Sequence, residues 1–430
     1  MIINGCTDIR NLDKSQKGTE NGQIADGNNN ASPDSSPTPS QLPADSIDLN
    51  EQNNGEGSQP GENGEPVETR EPDGSEPGGT EPGENGESGE TGNEGKKPEL
   101  VKVKALYLTG WVAGTSSLLE HYVELAKTTE INAYVIDIKD DDGFVGYKSE
   151  IPDVNEIGGW MYKYDADKTL KTLKENGIRV IGRLVCFRDP VLSSKKPELA
   201  VKTLEGELWK DYQKRTWLDP YNKESWDYLI KIAKEAVEKG FDEIQFDYVR
   251  FPSDGDRKSM VFNENGQKKY EIINEFLAYA REQMPNVILS ADIFGIVCES
   301  PEDTEDIGQY LEYIGENIDY ISPMLYPSHY ALGQVVNGIR FAIPDHEPYG
   351  VVYNTLVKAL GRISKVEGYN VKIRPYLQDF TASWLGQGYY KKYGEEEVRQ
   401  QIKAVEDAGL DEWILWDAEN TYTEKALKEE

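Results

Sequence analysis

Eight short runs of β-forming residues recur between positions 105 and 418, and a helical period follows each of them. The runs are ALYLTGWV (105–112), AYVIDIK (133–139), RVIGRLVCF (179–187), EIQFDYVRF (243–251), VILSADIFGIV (287–297), YISPMLY (320–326), KIRPYLQDF (372–380) and EWILWDA (412–418). The helical patterns fall at 116–129, 165–176, 223–239, 268–283, 304–317, 351–367 and 395–408, with a terminal helix after the last strand. Strict strand–helix alternation predicts a parallel sheet. Eight such units predict an α/β chain folded as a (β/α)8 TIM barrel with enlarged loops. An open, doubly wound sheet is the competing architecture. It is disfavoured because no Gly-rich phosphate turn follows the first strand; GWVAG (110–114) is too bulky for that role.

The eight units occupy only part of the 430 residues. Residues 1–98 are rich in Gly, Glu, Pro, Asn and Ser and hold none of the eight Trp or 25 Tyr. Such a segment buries too little apolar surface to offset its chain entropy, so a disordered acidic spacer is expected over 1–98 and the barrel domain over 99–430. The net charge is −32, with 20 Asp and Glu against 6 Lys and Arg in 1–98. No basic patch is visible, which argues against nucleic acid and anionic membranes as partners.

No apolar run approaches the roughly 20 residues of a membrane span, and no signal sequence is evident. The start, Ile2-Ile3-Asn4-Gly5-Cys6, loosely resembles the end of a bacterial lipoprotein signal. It makes Cys6 a candidate lipid anchor, with the spacer as a tether at the cell surface and the missing apolar segment supplied by an upstream start. The three cysteines, Cys6, Cys186 and Cys298, are too few for a disulfide framework. Cys186 and Cys298 end apolar runs and are expected to be buried thiols.

In a (β/α)8 barrel the active site lies at the C-terminal ends of the strands. The polar and aromatic residues there are Tyr107 and Trp111; Asp137, Lys139 and Asp141; Arg183 and Arg188; Asp247 and Arg250; Asp292; Tyr326 and His329; Gln378 and Asp379; Asp417 and Glu419. Carboxylates close several strands that converge on one mouth. Parity gives them direction. On the fourth strand Ile244, Phe246 and Tyr248 form the face for the helices, which turns Gln245 and Asp247 inward. On the fifth, Ser290 and Asp292 point inward by the same alternation.

Paired carboxylates are what glycoside hydrolysis requires, one to protonate the leaving oxygen and one to act as nucleophile or to activate water. Asp247 and Asp292 are therefore the candidate catalytic pair. Tyr107, Trp111, Asp137, Lys139, Arg183, Arg250, Tyr326, His329, Asp379, Asp417 and Glu419 are the candidate substrate-binding residues. Six tryptophans (Trp111, Trp160, Trp209, Trp217, Trp384 and Trp416) fall at strand ends or in the following loops, where rings stack on sugars; about half are expected to be loop anchors instead. A metal site is the rival use of clustered acids, but Asp140-Asp141-Asp142-Gly143 lacks the spacing of a calcium loop, and no metal or cofactor is expected. The competing functional reading is a cell-envelope protein that binds glycans without cleaving them.

Seven segments carry a family resemblance: KALYLTGWVAG (104–114), NAYVIDIKDDDG (132–143), FDEIQFDYVRFPSDG (241–255), LSADIFG (289–295), ISPMLYPSHY (321–330), RPYLQDF (374–380) and EWILWDAENTY (412–422). With them, residues 104–420 resemble the bacterial glycoside hydrolase family DUF4015, which looks like a relative of the α-amylase-like barrels. The resemblance implies that Asp247, ending strand four, is the nucleophile. Amylase-like barrels usually place a Glu acid after strand five, where this chain has Asp292, with Glu299 later in the loop. Their transition-state Asp after strand seven corresponds here to Asp379.

Overall fold

The computed structural model describes residues 98–429, so the spacer and Cys6 lie outside the described residues. Eight parallel strands form the fold: β1 (Lys104–Leu108), β2 (Ala133–Lys139), β3 (Arg179–Val185), β4 (Glu243–Asp247), β5 (Ile288–Phe294), β6 (Tyr320–Met324), β7 and β8 (Trp413–Trp416). β7 comes in two pieces, Lys372–Ile373 and Tyr376–Gln378. They interrupt at Pro375, which has no N–H to give to a ladder. Each strand pairs with the next, β8 pairs with β1 (Leu106 opposite Leu415), and β7 bridges β6 and β8. The sheet is closed, which rules out the open doubly wound alternative.

Helices α1 (Ser116–Thr128), α2 (Ala166–Glu175), α3 (Lys223–Lys239), α4 (Lys269–Gln283), α5 (Leu311–Ile314), α6 (Pro348–Ile363) and α7 (Glu395–Asp407) occupy the connections. α3 shows why they form. Trp226, Leu229, Ile230 and Ala233 recur at the spacing of one helical face and are buried. Asn222 caps its start by accepting from the Glu224 N–H at 3.1 Å, and Gly240 ends it at φ +113°, a left-handed conformation that favours glycine.

Several predicted elements differ. The helix expected over 304–317 contracts to the single turn of α5. The Asp303 carboxylate takes the N–H groups of Ile307 and Gly308 at 3.0 and 2.9 Å, and Asp306 and Gly308 have positive φ, so the segment is folded as turns. The terminal helix is one 3₁₀ turn, Glu424–Ala426. Strand one stops at Leu108 because Thr109 starts a short helix, Gly110–Gly114, its hydroxyl accepting from the Val112 N–H.

The outer faces of the strands pack against the helices in one apolar core, which includes Ile244 and Phe246. The barrel interior is divided. Ala105, Ala133, Val135, Ile181 and Ile414 make its apolar part. Opposite them β4 sends a polar column inward: Glu243 at the floor, Gln245 at mid-height and Asp247 at the top, all buried. Gln245 accepts from Tyr376 Oη at 2.6 Å and donates to Ser322 Oγ at 3.2 Å. Glu243 is ion-paired with the fully buried Arg374 and accepts from Ser290 Oγ at 2.6 Å. Cys186 and Cys298 are free and buried, as expected.

Removing one member of a buried ion pair strands the other. Arg374→Met is therefore expected to destabilise the barrel by ~3–5 kcal/mol, read as a lower urea midpoint. Adding Glu243→Met should recover much of that loss. A single variant as stable as wild type would show that the floor pair does not support the fold.

Candidate active site

The strand ends open into a cleft of about 1230 Å³. Asp247 and Asp292 both line it, from adjacent strands, as the parity argument required. Around them β2 and β3 contribute an arginine-centred network. Arg183, on β3, donates through Nε to Asp247 Oδ2 at 2.8 Å, with Nη2 2.7 Å from the same oxygen. Its Nη1 reaches Asp137 Oδ1 at 2.7 Å and its Nη2 reaches Asp141 Oδ2 at 3.1 Å. Burial opposes the charge on Arg183, yet the carboxylates of Asp141, Asp247 and Asp137 outweigh it and raise its pKa well above the ordinary value.

The two candidate catalytic carboxyls sit in different surroundings. Asp247 has both oxygens engaged, Oδ2 by Arg183 and Oδ1 by the Tyr248 N–H at 2.6 Å. Asp292 is 2% exposed, and its Oδ1 is buried without a hydrogen-bond partner among the described residues. Burial, and then the negative charge of Asp247, push the Asp292 pKa well above the usual carboxylate value. Both effects favour the neutral form of Asp292, beside a carboxylate clamped by arginine.

Tyr248 departs from the sequence reading. Alternation places it on the helix side, but β4 ends at Asp247 and Tyr248 has φ +47°. This left-handed residue breaks the alternation and turns Tyr248 into the cleft wall, where its hydroxyl accepts from Arg188 Nη1 at 2.7 Å. A non-glycine residue in that conformation is strained and is held only by its surroundings. Asp141 and Arg188 also line the cleft. Burial works against the Asp141 charge, but Arg183 and Arg188 together hold its pKa below the ordinary value.

The opposite wall is aromatic. Tyr326 stacks on Trp416 with ring centres 5.5 Å apart, and Phe380 stacks on Trp384 at 5.7 Å. His329 packs edge-on against Tyr326, and burial lowers its pKa to about 4, so it is neutral at pH 7. Of the six loop tryptophans, Trp217, Trp384 and Trp416 line the cleft. Trp209 is a buried anchor that donates to the Asp256 carbonyl at 2.9 Å.

Tyr107, Arg183, Arg250, Tyr326, His329, Asp379, Asp417 and Glu419 also line the cleft. Three predicted residues do not. Lys139 is fully buried against Asp189, at 2.9 Å. Asp137 lies beneath the surface, between Arg183 and the Tyr107 hydroxyl at 2.7 Å. Trp111 is 56% exposed on the short helix after β1, with the Lys163 ammonium 5.8 Å from its ring centre. Glu299 lines the cleft but is paired with Lys358 at 2.7 Å. Asp417 caps its own turn, accepting from the Thr421 N–H at 2.7 Å. Among the described residues, no group of three or more His, Cys, Asp or Glu is placed to hold a metal ion.

Residues 105–422 match the family DUF4015, described as a "putative glycosyl hydrolase domain". A hypothetical protein from Ruminiclostridium thermocellum is 70% identical over 44% of this chain and 96% of its own, with a TM-score of 0.42. The PgaB (BpsB) glycoside hydrolase domain from Bordetella bronchiseptica is 13% identical over 74% of this chain and 94% of its own, with a TM-score of 0.54, a likeness of fold. The spore cortex-lytic enzyme SleL from Bacillus megaterium is 15% identical over 76% of this chain and 74% of its own, with a TM-score of 0.42. No curated protein matches the chain.

Asp379 supplies a test of the site's electrostatics. Its carboxylate accepts from the Thr423 N–H at 2.8 Å and from its hydroxyl at 2.6 Å, and burial raises its pKa to about 6. A raised folded-state value means that its stabilising contribution is full below the unfolded pKa near 3.8 and is lost as pH rises through about 6. Relative to Asp379→Asn, wild type should lose about 2 kcal/mol between pH 4 and pH 7. Urea unfolding of both proteins at the two pH values measures this; a difference independent of pH would refute it.

Proposed function

The chain belongs to this glycosyl hydrolase domain family, and from that premise we propose that it cleaves O-glycosidic bonds of a polysaccharide at the barrel mouth. One observation carries the reading: a buried Asp292, its Oδ1 without a hydrogen-bond partner among the described residues and its surroundings favouring the protonated form, lies on the strand next to Asp247, whose carboxylate is held by Arg183. Two carboxyl groups in such different surroundings divide acid and nucleophile between them. Asp292 donates its proton to the glycosidic oxygen as the bond to the anomeric carbon breaks. Asp247 attacks that carbon, the role also implied by the amylase-like resemblance. The Asp292 carboxylate then takes a proton from the water that releases the sugar. The aromatic wall of Tyr326, Trp416, Phe380 and Trp384 supports sugar stacking opposite the acids.

We propose further that the enzyme works at the bacterial cell surface or outside the cell, held by a lipid on Cys6 through the acidic spacer. This part rests on sequence alone. Mass spectrometry of the native protein would find either a lipid-modified Cys6 or an unmodified one, and the second result ends the tether.

A panel of polysaccharides tests the reaction. Asp247→Asn should lower turnover on the order of 10³-fold or more. Asp292→Asn should nearly abolish cleavage of natural glycans while sparing aryl glycosides whose leaving group needs no proton. Because Asp292 must be protonated, kcat/KM should fall as pH rises through its raised pKa, and Asp292→Asn should erase that limb. Retained anomeric configuration by NMR fits Asp247 as nucleophile, whereas inversion would make it the base. Full turnover by Asp247→Asn would remove it from the mechanism. Saturable binding without turnover in wild type would favour a silent glycan-binding barrel.

A further inference from the structure

Apart from the neutral His329, four basic side chains line the cleft: Arg183, Arg188, Arg250 and Lys358. Three are matched by carboxylates. Arg183 holds Asp137, Asp141 and Asp247. Arg188 lies 3.2 Å from Asp211 and 3.5 Å from Asp141, and Lys358 lies 2.7 Å from Glu299. Arg250 differs. It is only 7% exposed, and among the described residues no carboxylate forms an ion pair with it.

Its guanidinium is nevertheless fixed in place. Nη1 donates to the Phe251 carbonyl at 3.0 Å and to Ser253 Oγ at 3.2 Å. The rings of Trp217 and Tyr248, each 5.0 Å away, and of Phe294, 4.4 Å away, surround it. These contacts leave the Nε–Nη2 edge without an acceptor among the described residues. That edge takes a carboxylate through two parallel bonds. Arg183 uses the same edge on Asp247, through Nε at 2.8 Å and Nη2 at 2.7 Å. Of the three buried guanidinium groups in the cleft, Arg183 and Arg188 are paired with the protein's own carboxylates, and the fork of Arg250 is open.

A buried cation without a counter-charge is costly, and aromatic rings offset only part of that cost. Asp247 and Asp254 are near enough to favour its charge, but neither pairs with it. Asp247 is committed to Arg183, and Asp254 accepts from the Tyr212 N–H at 3.2 Å. We propose that Arg250 is the subsite for an oxyanion substituent on the glycan, such as a uronate carboxylate or a phosphate, so that the substrate class is an acidic polysaccharide. The proposal rests on the glycosidase reading only for the presence of sugar in the cleft.

Binding separates the two ideas. Full-length wild type, Arg250→Gln and Arg250→Lys are run by affinity electrophoresis at low salt. The gels contain polygalacturonate, alginate or a glycerol-phosphate teichoic acid. A carboxyl-reduced polymer is the neutral control for each uronate, and dextran is the control for the phosphate. Wild type is expected to bind at least one acidic polymer tenfold or more tighter than its control, with affinity falling as salt rises. The arm that responds distinguishes carboxylate from phosphate. Arg250→Gln should erase the preference, and Arg250→Lys, which keeps the charge but loses the fork, should retain part of it. Thermal melts establish that the variants are folded; where Arg250→Gln is not, Arg250→Lys carries the comparison. Equal binding of acidic and neutral polymers by wild type, no binding of any acidic polymer, a preference that survives in a folded Arg250→Gln, or one that is undiminished in a folded Arg250→Lys overturns the proposal. Acid-selective binding that needs Arg250, without cleavage, would uphold it while the hydrolase reading fails.

Discussion

The Arg183 guanidinium joins three strand ends. From β3 it binds Asp137 on β2, Asp247 on β4 and Asp141 in the loop after β2. A guanidinium offers five N–H donors in a rigid plane, so one side chain can orient three carboxylates where an ammonium would act as a point charge. The geometry of the acidic wall follows from this. Asp247 is turned to a fixed place, and its negative charge is spent partly on Arg183 and partly on disfavouring ionisation of Asp292. The Tyr107 hydroxyl continues the network to β1 through Asp137.

The polar column on β4 carries the same logic to the floor. Glu243, Gln245 and Asp247 alternate inward and each meets a partner from another strand: Arg374, Tyr376 and Arg183. A barrel interior filled only by Val, Ile and Leu would pack well but present nothing at its mouth. Here one side of the interior is apolar and the other is a hydrogen-bonded polar column. That division leads upward into a cleft with charged groups on one wall and rings on the other. Such a cleft suits a ligand with both hydroxyl-rich and apolar faces, as a sugar has.

The alternation breaks at the mouth of the cleft. Tyr248 takes a left-handed backbone immediately after Asp247, and its side chain swings from the helix layer to the cleft. The same turn brings Arg250 inward against Trp217, Tyr248 and Phe294. Two-residue periodicity holds only while the chain stays extended, so no parity argument reaches past Asp247.

Much was legible in the residue order. Periodicity and strict alternation identified eight strands and a barrel, because a parallel strand needs a crossover and a two-sided apolar face. Parity turned Asp247 and Asp292 inward, because alternate side chains on a strand must take opposite faces. Less local features were not legible. Lys139 and Asp137 stand at a strand end like their neighbours, yet contacts with Asp189 and Arg183, distant in the chain, draw them below the surface. Trp111 reads as a cleft ring but belongs to a short helix outside it. Asp303 folds a helical pattern into turns by capturing two N–H groups. Residue order set which groups arrive at the mouth. Which of them pair, which are buried and which are left facing the cleft was settled by long-range packing, since burial and charge pairing are properties of neighbours in space rather than in sequence.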